Sequence, residues 1–176
     1  MYQIRKAVPD DALGIALVKV YTWKTTYTGL IPDNIIDELI LAIKAQAERF
    51  SNDITLYNNA TVAAVENTIV GFCVYGKSRN EDFPDAGEIY ALYVLKGFQG
   101  MGLGEALFGA AIDELLFQGN NFMIINCLKG NPSLDFYKHM GGKVVGQRQD
   151  EIAGASITED IVLYDNLPQL RKKRRQ

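Results

Sequence analysis

The sequence predicts an α/β (α+β) fold, a mixed sheet of about seven strands with helices on both faces. Three observations carry this. Strand-like and helix-like periods alternate along the chain in the order β-α-α-β-β-β-α-β-α-β-β. The 176 residues are 48% apolar and 22% charged, enough apolar matter for a core without disulfide or metal staples. Between a strand and a helix lies a glycine-rich turn, at the point where such folds place ligands.

Tyr2 to Ala7 is a first strand. Pro9 suits a first helical turn, and Asp10 and Asp11 suit its positive end, so 9–28 is a helix carrying Ala16, Val20, Trp23 and Tyr27 at helical spacing. Gly29 and Pro32 interrupt it, and a second helical stretch with room for a break runs from Asp33 to about Phe50. Thr61 to Glu66 and Ile69 to Lys77 are β-rich, joined at Asn67-Thr68 as a hairpin. Glu88 to Leu95 is another strand. Met101 to Gln118 is a helix with a wide apolar face, including Leu103, Leu107, Ala111 and Leu115, fit to lie on a sheet. Phe122 to Leu128 is a short buried strand, and Asn131-Pro132 opens a helix that Gly141-Gly142 closes. Lys143 to Arg148 and Ser156 to Tyr164 finish as an antiparallel pair.

The charge balance is 18 Lys and Arg against 21 Asp and Glu, a net −3, which argues against a dedicated nucleic-acid binder. Cys73 and Cys127 form no CxxC pair, and with a single histidine, His139, no zinc set is expected; no metal is implied. The longest apolar stretch, Ile69 to Tyr75, is far short of the ~20 residues of a membrane span. Charges occupy the N-terminus where a signal peptide would be apolar. These features predict a cytoplasmic protein with one domain over 1–166 and a basic tail over 167–176, ending in RKKRRQ, read as solvated.

The segment Glu88 to Phe108 holds the chemistry. Gly100, Gly102 and Gly104 let a ligand approach the backbone, and the helix that follows offers unpartnered amides and partial positive charge. Together they form an anion site suited to a pyrophosphate. A P-loop would need Lys and Ser or Thr after Gly102, where Leu103 and Gly104 stand. A dinucleotide fingerprint fails too, because the third glycine position falls on Leu107 or Leu103.

Gln99-x-x-Gly102-x-Gly104 resembles the Q/R-x-x-G-x-G/A acyl-CoA motif of the GNAT N-acetyltransferase superfamily. Asn131 to Lys143 resembles its second signature, an asparagine followed six residues on by the tyrosine of a Phe-Tyr pair and a glycine stop. The two segments are separated by room for one helix and one strand, as in that family. The residues from Val20 to Glu38 are similar to its acceptor-side helices. Gly142 departs from the pattern, which commonly has an aromatic there. The resemblance implies a mostly antiparallel sheet, acetyl-CoA as co-substrate and acetyl transfer to a primary amine.

An amine with a pKa near ~10 is protonated at neutral pH, so a base must take its proton before attack. Strand alternation places Glu88, Tyr90, Leu92 and Val94 on one face, and Glu88 falls where many relatives carry a catalytic glutamate, acting directly or through a water near Tyr90. The resemblance assigns the amide of Leu92 to the developing oxyanion and the main chain of Leu92 and Val94 to the pantetheine arm. It assigns Gln99 and the backbone of Gly100, Met101, Gly102, Leu103, Gly104 and Glu105 to the pyrophosphate. Asn131 either binds CoA or caps its own helix. Tyr137 is the candidate acid for the departing thiolate, with packing against the pantetheine arm as the alternative. Cys127 and His139 are read as a core and a helix-end residue.

Trp23 and Tyr27 border the expected acceptor groove or serve the core. Glu81, Asp82 and Asp85, with Asp150, Glu151, Glu159 and Asp160, would favour a cationic amine, small or peptide-borne. No nucleic-acid or membrane partner is expected, and a homodimer is compatible with the sequence. The alternative function is an acyl-CoA-binding sensor or interaction module without catalysis.

Overall fold

The computed structural model describes residues 2–174. Seven strands and six α-helices follow one another: β1 (Tyr2–Lys6), α1 (Ala12–Thr26), α2 (Asp33–Leu41), α3 (Ile43–Tyr57), β2 (Ala60–Val65), β3 (Thr68–Lys77), β4 (Gly87–Val94), α4 (Leu103–Phe117), β5 (Met123–Leu128), α5 (Ser133–His139), β6 (Lys143–Ile152), β7 (Ala155–Tyr164) and α6 (Leu167–Arg174). The strands order as β1-β2-β3-β4-β5-β7-β6. β1–β2, β2–β3, β5–β7 and β6–β7 pair antiparallel, and β4–β5 is parallel through Gly87↔Met123 and Glu88↔Ile124. The expected α/β class with a mixed, mostly antiparallel seven-stranded sheet is therefore the architecture observed.

Two compact units are formed. The first takes the chain up to Val74 and adds Ala91–Ala110. Its core gathers Ile15 and Val18 of α1, Ile54 of α3 and Val62 and Phe72 of β2 and β3, and Ala91, Tyr93 and Leu95 pack against it. Asp11 pins the start of α1. Its carboxylate accepts from Arg5 Nη1 at 2.6 Å, Arg5 Nη2 at 2.8 Å and the Val8 N–H at 2.8 Å. Burial pushes the Asp11 pKa up, but the Arg5 and Val8 hydrogen bonds and the Arg5 charge more than reverse this, so it lies below its ordinary value. A depressed carboxylate stabilises the fold above its unfolded pKa and loses that contribution as pH falls through the folded one. Asp11→Asn is expected to cost about 1–3 kcal/mol near neutral pH, with the gap from wild type closing in acid. Denaturant unfolding of both proteins at two pH values checks this.

The second unit takes Tyr75–Tyr90 and the chain from Ala111 onward. Ala86, Ile124 and Ile161 form one of its buried clusters, flanked by Phe83, Phe122 and Leu163.

Several boundaries differ from the sequence reading, each for a local reason. The stretch expected to end near Phe50 is two helices, and α3 runs on to Tyr57, where Asn58 takes a left-handed conformation (φ 46°) and stops it. The β2–β3 turn falls on Glu66-Asn67, one residue early, because Glu66 takes the positive φ (55°) and Val65 pairs with Thr68. β6 continues to Ile152, beyond the expected Arg148. Ala153 and Gly154, at φ 48° and 84°, form a two-residue turn of the hairpin-favouring kind, so pairing holds up to Ile152↔Ala155. β6 ends the strand order and is largely exposed, so its QRQDEI stretch carries no apolar period to read. α4 starts at Leu103 rather than Met101, since Gly102 sits at φ 78°. The segment expected as a solvated tail is helical as α6 from Leu167 to Arg174. Leu167 is buried, its N–H donates to Asn121 O at 2.8 Å, and Arg171 pairs with Asp113. Residues 175 and 176 lie outside the described residues.

Candidate active site

Glu88 stands near the start of β4 in the second unit and is only 2% exposed. Burying a carboxylate is costly unless its oxygens are satisfied, and these are. Oε2 accepts from the Arg79 backbone N–H at 2.6 Å. Oε1 accepts from Arg79 Nη2 at 3.2 Å and from Asn126 Nδ2 at 3.3 Å. Asn126 is held in turn, because its Oδ1 accepts from Asn80 Nδ2 at 3.3 Å. Asn80 also organises the loop after β3, accepting the Asp82 N–H at 3.0 Å.

Two residues along the same face, Tyr90 donates its hydroxyl to Lys77 O at 2.5 Å. A Cβ on Gly76 would lie 2.5 Å from that hydroxyl, so a glycine is needed there for the ring to reach its acceptor. The Arg79 guanidinium lies over the Tyr90 ring, 3.9 Å from its centroid. Burial, the Glu88 charge and, in opposition, the Arg79 charge leave the Tyr90 phenol above its ordinary pKa.

These groups open onto a cavity of about 260 Å³ whose opposite lining comes from the β6–β7 hairpin: Arg148, Asp150 and Glu159. Arg148 bridges both acids, at 2.9 Å to Glu159 and in direct contact with Asp150. The Glu151 N–H, with Arg148 and Arg79, holds the Asp150 carboxyl below its usual value against burial. Burial, reinforced by the Asp150 and Glu88 charges and opposed by Arg148, pushes the Glu159 carboxyl up. Of the acids expected around an acceptor groove, Asp150 and Glu159 line this cavity and Glu81, Asp82 and Asp85 are not part of its lining. Arg79, Asn126 and Arg148 were not legible as site residues. The one signal for Arg79 is that it is the only cation in an otherwise acidic loop.

The other expected residues fall into separate groups. In the first unit Trp23 and Tyr27 meet edge to face, with centroids 5.0 Å apart. Both converge on Tyr93: Trp23 Nε1 donates to its hydroxyl at 3.1 Å, and the two tyrosine oxygens lie 3.4 Å apart. Tyr93 packs on the core of that unit, which favours the structural role of this trio over an acceptor role.

The glycine turn lies in the same unit. Gly100 and Gly102 sit at φ 75° and 78°, conformations that side chains rarely adopt. A Cβ on Gly100 would meet nothing within 4 Å, and one on Gly102 only the Tyr2 hydroxyl at 4.0 Å, so the loop surface is open. Ala106 N–H donates to Gly102 O at 3.0 Å, which begins the α4 ladder; Leu103, Gly104 and Glu105 are its first-turn amides. Gln99 Nε2 donates to Val94 O at 3.0 Å, closing the turn back onto β4, and Met101 is exposed. Leu92 precedes them on β4 and is half-buried.

In the second unit Asn131 Oδ1 accepts the Ser133 N–H at 2.9 Å, the capping half of its two expected roles. Tyr137 is buried in α5, and its carbonyl accepts the Tyr164 hydroxyl at 2.8 Å and the Gly142 N–H at 3.0 Å. A Cβ at Gly142 would come 2.4 Å from Val162 Cγ1, which accounts for glycine where an aromatic was expected. His139 is the last residue of α5. Cys127 is buried, and burial with the Asp160 and Glu159 charges pushes its thiol up to about 12. Among the described residues no group of three or more His, Cys, Asp or Glu could hold a metal ion, and no helix is long and apolar enough to cross a membrane.

Comparison with known proteins agrees with this fold. The solved structure of PaiA N-acetyltransferase from Thermoplasma acidophilum, in complex with coenzyme A, superposes with a TM-score of 0.73 at 18% identity over 93% of this chain and 98% of that one. YncA from Salmonella typhimurium, solved with its cofactor acetyl-CoA, gives 0.63 at 19% identity over 96% and 95%. A Bacillus subtilis protein named as the uncharacterized N-acetyltransferase YuaI is 30% identical over 171 residues, 97% of each chain. The model of the acetyltransferase (GNAT) family matches residues 23–141, two thirds of the sequence including the glycine turn, Glu88 and Tyr137, and the chain belongs to that family.

Proposed function

We propose that the protein moves an acetyl group from acetyl-CoA to a primary amine by direct transfer, Glu88 taking the amine proton and Tyr137 serving the departing thiolate. The observation that carries this reading is a nearly fully buried carboxylate, Glu88, lining a cavity beside an aromatic face and a second set of acids. Enclosed charged groups that converge on a cavity mark functional sites.

Bound acetyl-CoA supplies the acetyl group as an activated thioester. The chain's own residues do the rest. The open turn at Gly100 and Gly102 and the first amides of α4, Leu103 to Glu105, fit a pyrophosphate, because positive partial charge and clearance coincide there. Met101 rims that turn, and the Gln99 side chain shapes it. Main-chain groups of Leu92 and Val94 would hold the pantetheine arm, and the Leu92 amide would supply a hydrogen-bond donor to the thioester oxygen. Asn131 contributes by fixing the start of α5. Direct transfer is supported by Cys127, whose buried thiol is a poor nucleophile near neutral pH.

One observation favours a non-catalytic acyl-CoA-binding module instead: Arg79 engages both oxygens of Glu88. Thiol release on a panel of amines, with acetyl-CoA calorimetry alongside, separates the two. Binding with turnover supports catalysis, and binding without turnover on any amine class supports the module. Tyr137→Phe is expected to lower kcat roughly tenfold or more while acetyl-CoA affinity holds, since the ring stays. A donor with a more acidic thiol should narrow the deficit, and unchanged kcat with both donors removes Tyr137 from the mechanism.

A further inference from the structure

We infer that the acceptor is a diamine or larger polycation, and that the Arg79 guanidinium occupies the place its second, non-reacting ammonium takes. The inference rests on the proposed transfer at Glu88 and names the substrate class of that site. Arg79 stands on the loop after β3, and its side chain is 64% exposed although its head contacts both Glu88 and the Tyr90 ring. It lies over the face of Tyr90, pairs with Oε1 of Glu88 and faces Asp150, whose carboxyl its charge helps hold low. An aromatic face flanked by carboxylates is a cation box, and here the chain's own cation fills it.

The chemistry of transfer says which cation would replace it. The reacting ammonium loses one proton through Glu88 to solvent, its nitrogen forms the bond to the acetyl carbon, and the carbon–sulfur bond breaks. The second proton leaves with the thiolate as the thiol, and the nitrogen ends as a neutral amide. The reacting nitrogen therefore cannot hold a cation box through the reaction, whereas a second ammonium can. Charge agrees. Glu88, Asp150 and Glu159 face Arg79 and Arg148, a single net negative charge. Arg148 bridges two acids, Glu159 and Asp150, whereas the Arg79 guanidinium pairs with Glu88 alone, at 3.2 Å and from a 64% exposed side chain, so Arg79 is the more readily displaced cation. Once it is displaced, two negative charges remain, matched by a dication. Arg79 is thus a specificity-determining placeholder. Its backbone N–H, which also binds Glu88, stays in place whichever way the side chain points.

Three acceptors of one length test this: putrescine, n-butylamine and γ-aminobutyrate, each with wild type and Arg79→Ala. Wild type is expected to favour putrescine over n-butylamine by about tenfold in kcat/KM, the advantage shrinking as salt rises. Arg79→Ala is expected to lower KM for putrescine several-fold, and to tighten putrescine binding in calorimetry without acetyl-CoA. Equal use of putrescine and n-butylamine, or a higher KM for putrescine in Arg79→Ala, overturns the inference. Preference for γ-aminobutyrate overturns it too, since Arg79 would then anchor a carboxylate. Acetyl-CoA calorimetry on wild type separates the levels. Acetyl-CoA binding and turnover without diamine preference defeat this inference alone, and absent acetyl-CoA binding defeats the proposed transfer with it.

Discussion

Glu88→Gln is expected to lower kcat by about 10²-fold or more, with acetyl-CoA affinity unchanged. The amide keeps the shape of the side chain and cannot take a proton from the amine. The hydrogen bonds around Glu88 add a second consequence. Three donors converge on its oxygens, the Arg79 N–H, Arg79 Nη2 and Asn126 Nδ2. A glutamine can answer them with one oxygen only. If that oxygen faces the Arg79 N–H at the short 2.6 Å position, its NH₂ points at the remaining two donors. Asn126 can turn its amide, at the expense of its bond from Asn80. A stability loss of about 1–3 kcal/mol should therefore accompany the kinetic one. Asn126→Asp is the useful companion: it sets a second carboxylate beside Glu88 and disturbs the site's charge without removing the base. If turnover in Glu88→Gln stays near wild type while stability falls, Glu88 is a structural carboxylate and the proton leaves by another route.

How far such a site can be read from sequence depends on where its information is stored. The glycine turn was legible because Gly100 and Gly102 answer a backbone demand, positive φ, that few other residues meet. Glu88 was singled out because strand alternation fixes its face and the family resemblance places a glutamate there, while its burial follows from the packing around β4. The second half of the cavity was legible only as composition. Asp150 and Glu159 read as hairpin acids, but their meeting with Arg79 follows from pairing between β6 and β7, Gln149↔Thr158 and Arg148↔Glu159 among them, and from the loop that Asn80 folds. Neither has a periodic signature. For the Trp23 and Tyr27 pair the sequence left a groove wall and a core role open, because helical spacing serves both, and Tyr93 gathers the two rings into a hydrogen-bonded packing cluster. Residue type marked candidate groups wherever the backbone constrained them, and long-range pairing decided which of them meet.

Gly102→Glu is expected to abolish acetyl-CoA binding while unfolding stays cooperative. Two costs combine, and they can be told apart. The first is conformational: at φ 78° any side chain pays about 1–2 kcal/mol for the left-handed backbone. Gly102→Ala carries this cost alone, since a Cβ there meets only the Tyr2 hydroxyl at 4.0 Å. The second is electrostatic and steric. A carboxylate on this residue stands directly before the first-turn amides of α4, the groups proposed to hold the pyrophosphate, and so repels the anion it would have to accommodate. The alanine variant should therefore be measurably destabilised with acetyl-CoA affinity reduced only in part. The glutamate variant should be destabilised by a similar amount with binding lost. Calorimetry with acetyl-CoA, paired with thermal unfolding of both variants, reads the two costs separately. Undiminished affinity in Gly102→Glu would move the pyrophosphate off this turn, because no other effect in the loop offsets a fixed negative charge at its centre.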